Sequence, residues 1–314
     1  MTRGLRVAMV VNPAAGGDGD GMVAALEAVG AAEVHTVRTT APGDARDIAY
    51  KLAGAAEPPD LIVSVGGDGT VCEVAAGLFR AGEAGAGAVP PLLVAPGGTG
   101  NSVYRGLWND EPWEKVAALA LRGRAAVRTI DLARIEQNDH VVVLGSGSGL
   151  FAATLLAARN RPEKGRDLLM AAALAAMEDH EPYPGRVTVD GEVLHEGGVV
   201  ETIVGGFRYR GGLLNLVPAS IVDDGLLDVT VVTSAVDMAA FAQAAVLGDV
   251  YDVPGILWGR GERITVADTG GRAVLFEHDG EVMPRNTPSY DIHVVPAALT
   301  VLTAADAPPW FKEG

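Results

Sequence analysis

The sequence predicts two successive halves of different class: a doubly wound α/β domain over residues 1–128, then a mostly β domain over 129–303. Two patterns carry this reading. Up to about residue 128, short apolar strands alternate with helix-forming stretches, as right-handed crossovers in a parallel sheet require. Beyond it, strand candidates follow one another through Gly, Pro and Asp turns. Composition agrees, because 48% of the 314 residues are hydrophobic but only 5% aromatic, so the core is built from small aliphatic side chains.

In the first half, Arg6 to Val11 forms a β-branched strand ending at Asn12-Pro13, followed by the glycine-rich stretch Gly16 to Gly21. Helix is expected over 22–30 and strand over 33–38. The next helix runs from Asp44, at its cap, to Gly54. Leu61 to Val65 is a nearly all-apolar strand, as in a sheet covered on both faces, and helix follows from Val71 to Arg80. Leu92 to Ala95 repeats the strand pattern before Pro96-Gly97-Gly98-Thr99-Gly100-Asn101.

In the second half, strands are expected at 129–136, 140–145, 185–194, 199–205, 226–233, 262–267, 272–277 and 290–303. Helical patterns interrupt them at 150–180 and 236–248. Residues 304–314 are expected to pack back onto the first domain.

Composition narrows the function classes. Cys72 is the only cysteine, which excludes an intrachain disulfide and an all-cysteine zinc site. The six histidines show no metal-ligand spacing. A net charge of −16 repels nucleic acid, so no nucleic-acid partner is expected. No secretory signal pattern opens the sequence, and the longest helical apolar run, Leu168 to Met177, is about half the roughly 20 residues of a membrane span. The expected location is the cytoplasm, with at most transient, peripheral contact with a membrane surface. Oligomeric state is not legible.

Three strands of the first half end in polar, glycine-rich loops, and in an open parallel sheet such loops share one crevice. Glycine lets backbone amides approach phosphate oxygens, and each following helix offers a partly positive N-terminus. In Gly66-Gly67-Asp68-Gly69-Thr70, the run Thr70-Val71-Cys72-Glu73 matches a capping box. Asp68 then stands out: it binds a divalent metal, takes a proton from an attacking hydroxyl, or caps its helix. A P-loop lysine motif is absent. Gly145-Ser146-Gly147-Ser148-Gly149 mimics a dinucleotide fingerprint, which makes a Rossmann oxidoreductase the runner-up.

These residues resemble the diacylglycerol kinase catalytic family, which includes bacterial lipid kinases, sphingosine kinases and ceramide kinases and is related to NAD kinases. The shared elements are Asn12-Pro13 with its glycine loop, Gly66 to Thr70, and Pro96 to Asn101. Asp131, the segment Asp224-Gly225-Leu226-Leu227-Asp228-Val229 and Asp279-Gly280-Glu281 continue the match along most of the chain. The resemblance implies a nucleotide-binding α/β domain followed by a β-sandwich substrate domain, with ATP and lipid meeting between them.

By that resemblance, Asn12, Gly67, Gly69, Thr70, Gly98, Thr99 and Asn101 bind the nucleotide, and Asp68 joins Asp131 in a water-bridged magnesium (Mg2+) network. Glu281 is the general base, a role for which Asp68 competes. Asp224 holds a structural magnesium with two backbone carbonyls, or else belongs to a plain β-turn. The implied activity is ATP-dependent phosphorylation of a hydroxyl of diacylglycerol, a sphingoid base or a related lipid, in lipid metabolism. The alternatives are a same-fold kinase of a soluble alcohol and a non-catalytic nucleotide- or lipid-binding homologue.

Three departures stand against the pattern. Ser102 replaces an aspartate found in bacterial diacylglycerol kinases, the first loop carries Asp18 and Asp20 but no basic residue, and position 205 is glycine rather than asparagine. Arg159, Arg161, Lys164 and Arg166 precede the apolar stretch Leu168 to Met177; they meet phosphate or a membrane surface, or form a solvated helix start.

Overall fold

The computed structural model describes residues 5–30, 32–159, 161–306, 308 and 310–312. The chain divides into two compact units, residues 1–131 with 297–314 and residues 132–296.

The first unit contains β1 (Leu5–Val11), α1 (Gly19–Ala28), β2 (Ala32–Arg38), α2 (Asp44–Ala53), β3 (Leu61–Gly66), α3 (Asp68–Glu83), β4 (Leu92–Pro96), α4 (Ser102–Trp108), α5 (Trp113–Leu121) and the start of β5 (Ala126–Ile135). The strands are parallel in the order β4-β3-β1-β2. β3 is buried along its whole length, as its nearly all-apolar run requires of a central strand. Helices pack in pairs, α1 with α5 and α2 with α3. From β1 the chain goes first to β2 on one side and then to β3 on the other, so the topological switch point lies between β1 and β3. That is where open α/β sheets bind ligands.

Helix α3 begins at Asp68, three residues earlier than its apolar periodicity predicts, because extended Gly67 is its N-cap. Thr70 is therefore inside the helix and the expected capping box does not form. Likewise Gly43, at φ +87, is the N-cap of α2, and Asp44 lies in its first turn. Helices α4 and α5 had no counterpart in the sequence reading.

The second unit takes the rest of β5, then β6 (His140–Val142), β7 (Gly145–Gly149), α6 (Leu150–Ala158), α7 (Gly165–Asp179), β8 (Tyr183–Val189), β9 (Glu192–Gly205), β10 (Tyr209–Arg210) and β11 (Leu214–Asn215). After these come β12 (Leu227–Thr233), α8 (Met238–Leu247), β13 (Ile256–Gly261), β14 (Arg263–Asp268), β15 (Phe276–His278), β16 (Glu281–Val282) and the first part of β17 (Ser289–Thr303). Its strand pairs are antiparallel, with β9 joined to β7, β8 and β12. Val187, Val229, Ile264, Phe276 and Ile292 centre one core; Phe241 and Ala245 of α8 cover a second around Ile203 and Val232.

The segment Gly145 to Gly149 is a fully buried strand, not a phosphate loop. Its glycines answer to neighbouring backbone: a Cβ on Gly147 would fall 2.2 Å from the Thr202 carbonyl oxygen. This removes the dinucleotide-fingerprint reading. Beyond residue 297 the chain re-enters the first unit, where Val301 pairs in parallel with Leu92. There Trp310 Nε1 donates to the Gly106 carbonyl of α4. Residues 307, 309, 313 and 314 lie outside the described residues.

Candidate active site

In the first unit, four strand-end loops enclose a cleft of about 490 Å3 at the switch point. Its walls come from Asn12–Gly16 after β1, Thr39–Pro42 after β2, Gly67, Gly69 and Thr70 after β3 and Gly98–Thr99 after β4. Asn12, Gly67, Gly69, Thr70, Gly98 and Thr99 therefore share one wall system; Asn101, Asp68 and Asp131 are not among the residues lining it. The loop after β2 was missed in the sequence because it carries a single glycine, Gly43; its one signal was its position at a strand end.

Glycine sets how closely the loops approach. A Cβ on Gly97 would sit 2.8 Å from the Gly66 nitrogen, and one on Gly98 only 2.3 Å from the Gly67 Cα. The backbones of the second and third loops are thus in direct contact, and Gly17 N donates to Gly97 O at 3.0 Å to bring in the first. The N-cap of α3 has no side-chain hydrogen bond, so its first turn presents an uncapped amide end, the feature that suits an anionic phosphate.

Polar side chains stiffen this frame. Asn12 Nδ2 donates to Thr70 Oγ1 at 3.1 Å, while Asn12 Oδ1 accepts from Ala14 N. Asn101 adopts the left-handed region at φ 54, and its carboxamide accepts from Gly98 N and donates to the Pro96 and Gly98 carbonyls. It shapes the third loop from within. Asp68 accepts from Ser102 N and Val103 N, both at 3.0 Å, and so caps α4 rather than its own helix. Glu73 accepts from Gly43 N and Ala45 N and caps α2.

The two first-loop acids also have structural duties. Asp18 caps α1 through Gly21 N, and Asp20 pairs with Arg38 at 2.7 Å. Neither lines the cleft. Ser102 is fully buried with its amide on Asp68, so an aspartate there would put a second carboxylate beside the first.

Asp131 is buried and accepts from Ala297 N at 2.7 Å. Among the described residues no group of three or more His, Cys, Asp or Glu side chains could hold a metal ion. Asp68 and Asp131 are each engaged by backbone amides.

In the second unit, β15 and β16 form a hairpin through Asp279 and Gly280, both at positive φ, the backbone that a tight two-residue hairpin turn demands. The Asp279 carboxylate accepts from the amides of Val143, Leu144 and Gly145 and anchors the turn. Glu281 follows at the exposed start of β16. Glu277, buried beneath, accepts from Gly280 N, and burial raises its pKa to about 7. His278 touches His140 at 2.9 Å; burial lowers its pKa, but Asp279 together with Glu277 and Glu281 more than offsets this, leaving it above the usual value. Glu201 is also fully buried, and burial holds its carboxyl well above the usual carboxylate range. The sequence reading identified neither Glu201 nor Glu277, since an acid within a strand has no local signature.

Two family models match the chain: the diacylglycerol kinase catalytic domain over residues 6–135, and the YegS C-terminal NAD kinase β-sandwich-like domain over 146–303. A "Probable lipid kinase YegS" of Salmonella paratyphi A is 28% identical over 283 residues, covering 88% of each chain. The "Probable lipid kinase YegS-like" of Enterobacter sp. (strain 638) is 28% identical over 253 residues, 79% of this chain and 80% of that one. A solved structure from Bacillus anthracis str. Sterne superposes with a TM-score of 0.75 at 25% identity, covering 97% of this chain and 99% of that one. A diacylglycerol kinase structure from the same strain, 23% identical, shares the fold at a TM-score of 0.72 over 98% and 100% of the two chains. The chain belongs to the family that joins a diacylglycerol kinase catalytic domain to a YegS-type β-sandwich domain, the phosphotransferases that use an alcohol as acceptor.

Proposed function

We propose that this lipid kinase transfers the γ-phosphoryl group of ATP, bound as its magnesium complex, to a hydroxyl of diacylglycerol, a sphingoid base or a related lipid. The observation that carries the reading is the four-loop cleft at the β1/β3 switch point, where glycine backbone and the uncapped start of α3 meet. Phosphoryl transfer needs in-line positioning and charge neutralisation more than covalent chemistry. Asn12, Gly67, Gly69, Thr70, Gly98 and Thr99 contact the phosphates and sugar, and Thr39 and Thr40 add hydroxyls from the β2 loop. Among the described residues no lysine or arginine lines the cleft, so the magnesium that arrives with the nucleotide supplies the counter-charge. Asn101 and Asp68 act through the loops and the helix they hold, and Asp131 fixes the strand segment at Ala297. Glu281 takes the proton of the acceptor hydroxyl.

A lipid acceptor calls for a surface that can meet a bilayer. Helix α7 exposes Leu169, Met170, Leu174 and Met177, and its N-terminal end carries exposed Lys164 and Arg166. This supports peripheral contact; among the described residues no helix is long and apolar enough to cross a membrane.

The test is incubation with γ-labelled ATP and magnesium against separate lipid-vesicle and polar-metabolite pools. Label is expected in the lipid pool, and Glu281→Gln is expected to lower turnover by about 10²–10⁴-fold while ATP still binds. Label confined to polar metabolites would assign a soluble alcohol instead, and a fully active Glu281→Gln enzyme would remove Glu281 as base.

A further inference from the structure

The turn that leads into β12 carries Asp224, to which the family resemblance assigns a structural magnesium. In this chain, a cation of its own stands at that place. β12 and β13 are antiparallel with Asp228 directly opposite Arg260, so backbone register alone brings this acid and this guanidinium together. Asp228 is fully buried, and its Oδ1 accepts from Arg260 Nε at 2.9 Å and from Trp258 Nε1 at 3.0 Å. Its Oδ2 accepts from Arg260 Nη2 at 3.3 Å. Arg260 Nη1 lies 3.5 Å from Asp224 Oδ2, while Asp224 Oδ1 accepts from Leu226 N across the turn.

The neighbouring carbonyls are claimed in the same way. Arg260 Nη2 also donates to the Ala219 oxygen, and Arg208 Nε donates to the Ser220 oxygen at 3.0 Å. Magnesium requires about six oxygens in octahedral array with lone pairs directed at the ion. Here the Asp228 carboxylate and two carbonyls direct lone pairs at guanidinium N–H groups, which donate and never accept, and Asp224 pairs with Arg260 by charge. A dication would have to displace Arg260, leaving a guanidinium beside a 2+ ion in a partly buried setting. Like-charge repulsion there disfavours the metal.

We infer that Arg260 is the resident cation of this turn, neutralising Asp224 and Asp228 in place of a structural magnesium, so that the second unit folds and holds its shape without bound divalent metal. The inference does not rest on the kinase reading, and its test contains no nucleotide. The full chain, dialysed against EDTA, is assayed for metal content and unfolded thermally in EDTA, in millimolar magnesium chloride and in millimolar calcium chloride.

The purified protein is expected to retain no stoichiometric metal, and its Tm is expected to agree within about 1 °C across the three buffers. A Tm rise of several degrees with magnesium that Asp224→Asn abolishes would overturn the inference. A rise that persists in Asp224→Asn places the ion elsewhere and leaves Arg260 in its role. Arg260→Met strands two carboxylates, one of them fully buried, and is expected to lower Tm by roughly 5–15 °C, with Arg260→Lys falling between. An unchanged Tm in Arg260→Met would also overturn the inference. Should that variant fail to fold, the metal content and Tm of the unmodified chain still decide the matter.

Discussion

Asp68 lies at the start of α3, yet both hydrogen bonds that its carboxylate accepts come from α4. Flanked by glycines in a phosphate-type loop, it had no evident local partner, and metal or proton chemistry was the natural expectation. Its partners are the first two amides of α4, 34 and 35 positions away, which no local pattern can announce. The carboxylate ties the second glycine loop to the helix that follows the third. Asp68→Asn keeps one acceptor oxygen but points an NH2 at a backbone N–H. Loss of one charge-assisted hydrogen bond costs about 1.5–3 kcal/mol, a Tm fall of roughly 2–5 °C for a chain of this size. As a positioning residue it should raise KM for ATP more than it lowers kcat. An unchanged Tm with abolished kcat would return Asp68 to direct chemistry. Ser102 belongs to the same account, because with Asp68 already accepting its amide the position has no place for a second acid unless a cation accompanies it.

Among the elements, the helix starts of the first unit are cross-braced. Glu73 of α3 caps α2, whose own N-cap is a glycine without a side chain, and Asp68 caps α4. The local capping box read from Thr70 and Glu73 had the right residue types and the wrong partners; tertiary contacts decided between equivalent acceptors. The strand-end glycine loops were legible because glycine at a strand's carboxyl end has few other uses, whereas the same composition in β7 serves close strand packing. The loop glycines are not equivalent, and a pair of alanine variants separates them. Gly69 lies in the first turn of α3 with nothing within 4 Å of a built Cβ, so Gly69→Ala should leave Tm unchanged or raise it slightly. Gly98→Ala would drive a methyl to 2.3 Å from the Gly67 Cα, and backbone cannot yield there without parting the loops. Its Tm should fall, and nucleotide affinity should fall at least about tenfold. Equal behaviour of the two variants would contradict the loop contact.

For the molecule as a whole, the alternation of strand and helix in the first unit was readable from periodicity, while the buried acids of the second were not. Glu277 and Glu201 are ordinary strand positions in sequence, and only the fold removes them from water. This makes stability depend on pH in a direction opposite to that of a salt-bridged acid. Burial raises the Glu277 pKa to about 7 from 4.5, so between those values the folded state holds a proton that the unfolded state has released. Stability from this group is complete below about pH 4.5 and is lost as pH rises through 7. Glu201 acts with the same sign, and Arg210 opposes both. The net charge of −16 also penalises the compact state at high pH, so the pH curve of the unmodified chain mixes several effects. Glu277→Gln isolates one of them, because glutamine is a neutral near-isostere of the protonated acid and still accepts from Gly280 N. The variant should match the parent near pH 5, where the parent is protonated in the folded state, and exceed it by up to about 3 kcal/mol near pH 8. Denaturant unfolding of both proteins at the two pH values measures the difference directly. A difference that stays constant with pH would mean that Glu277 ionises in the folded state as it does in water.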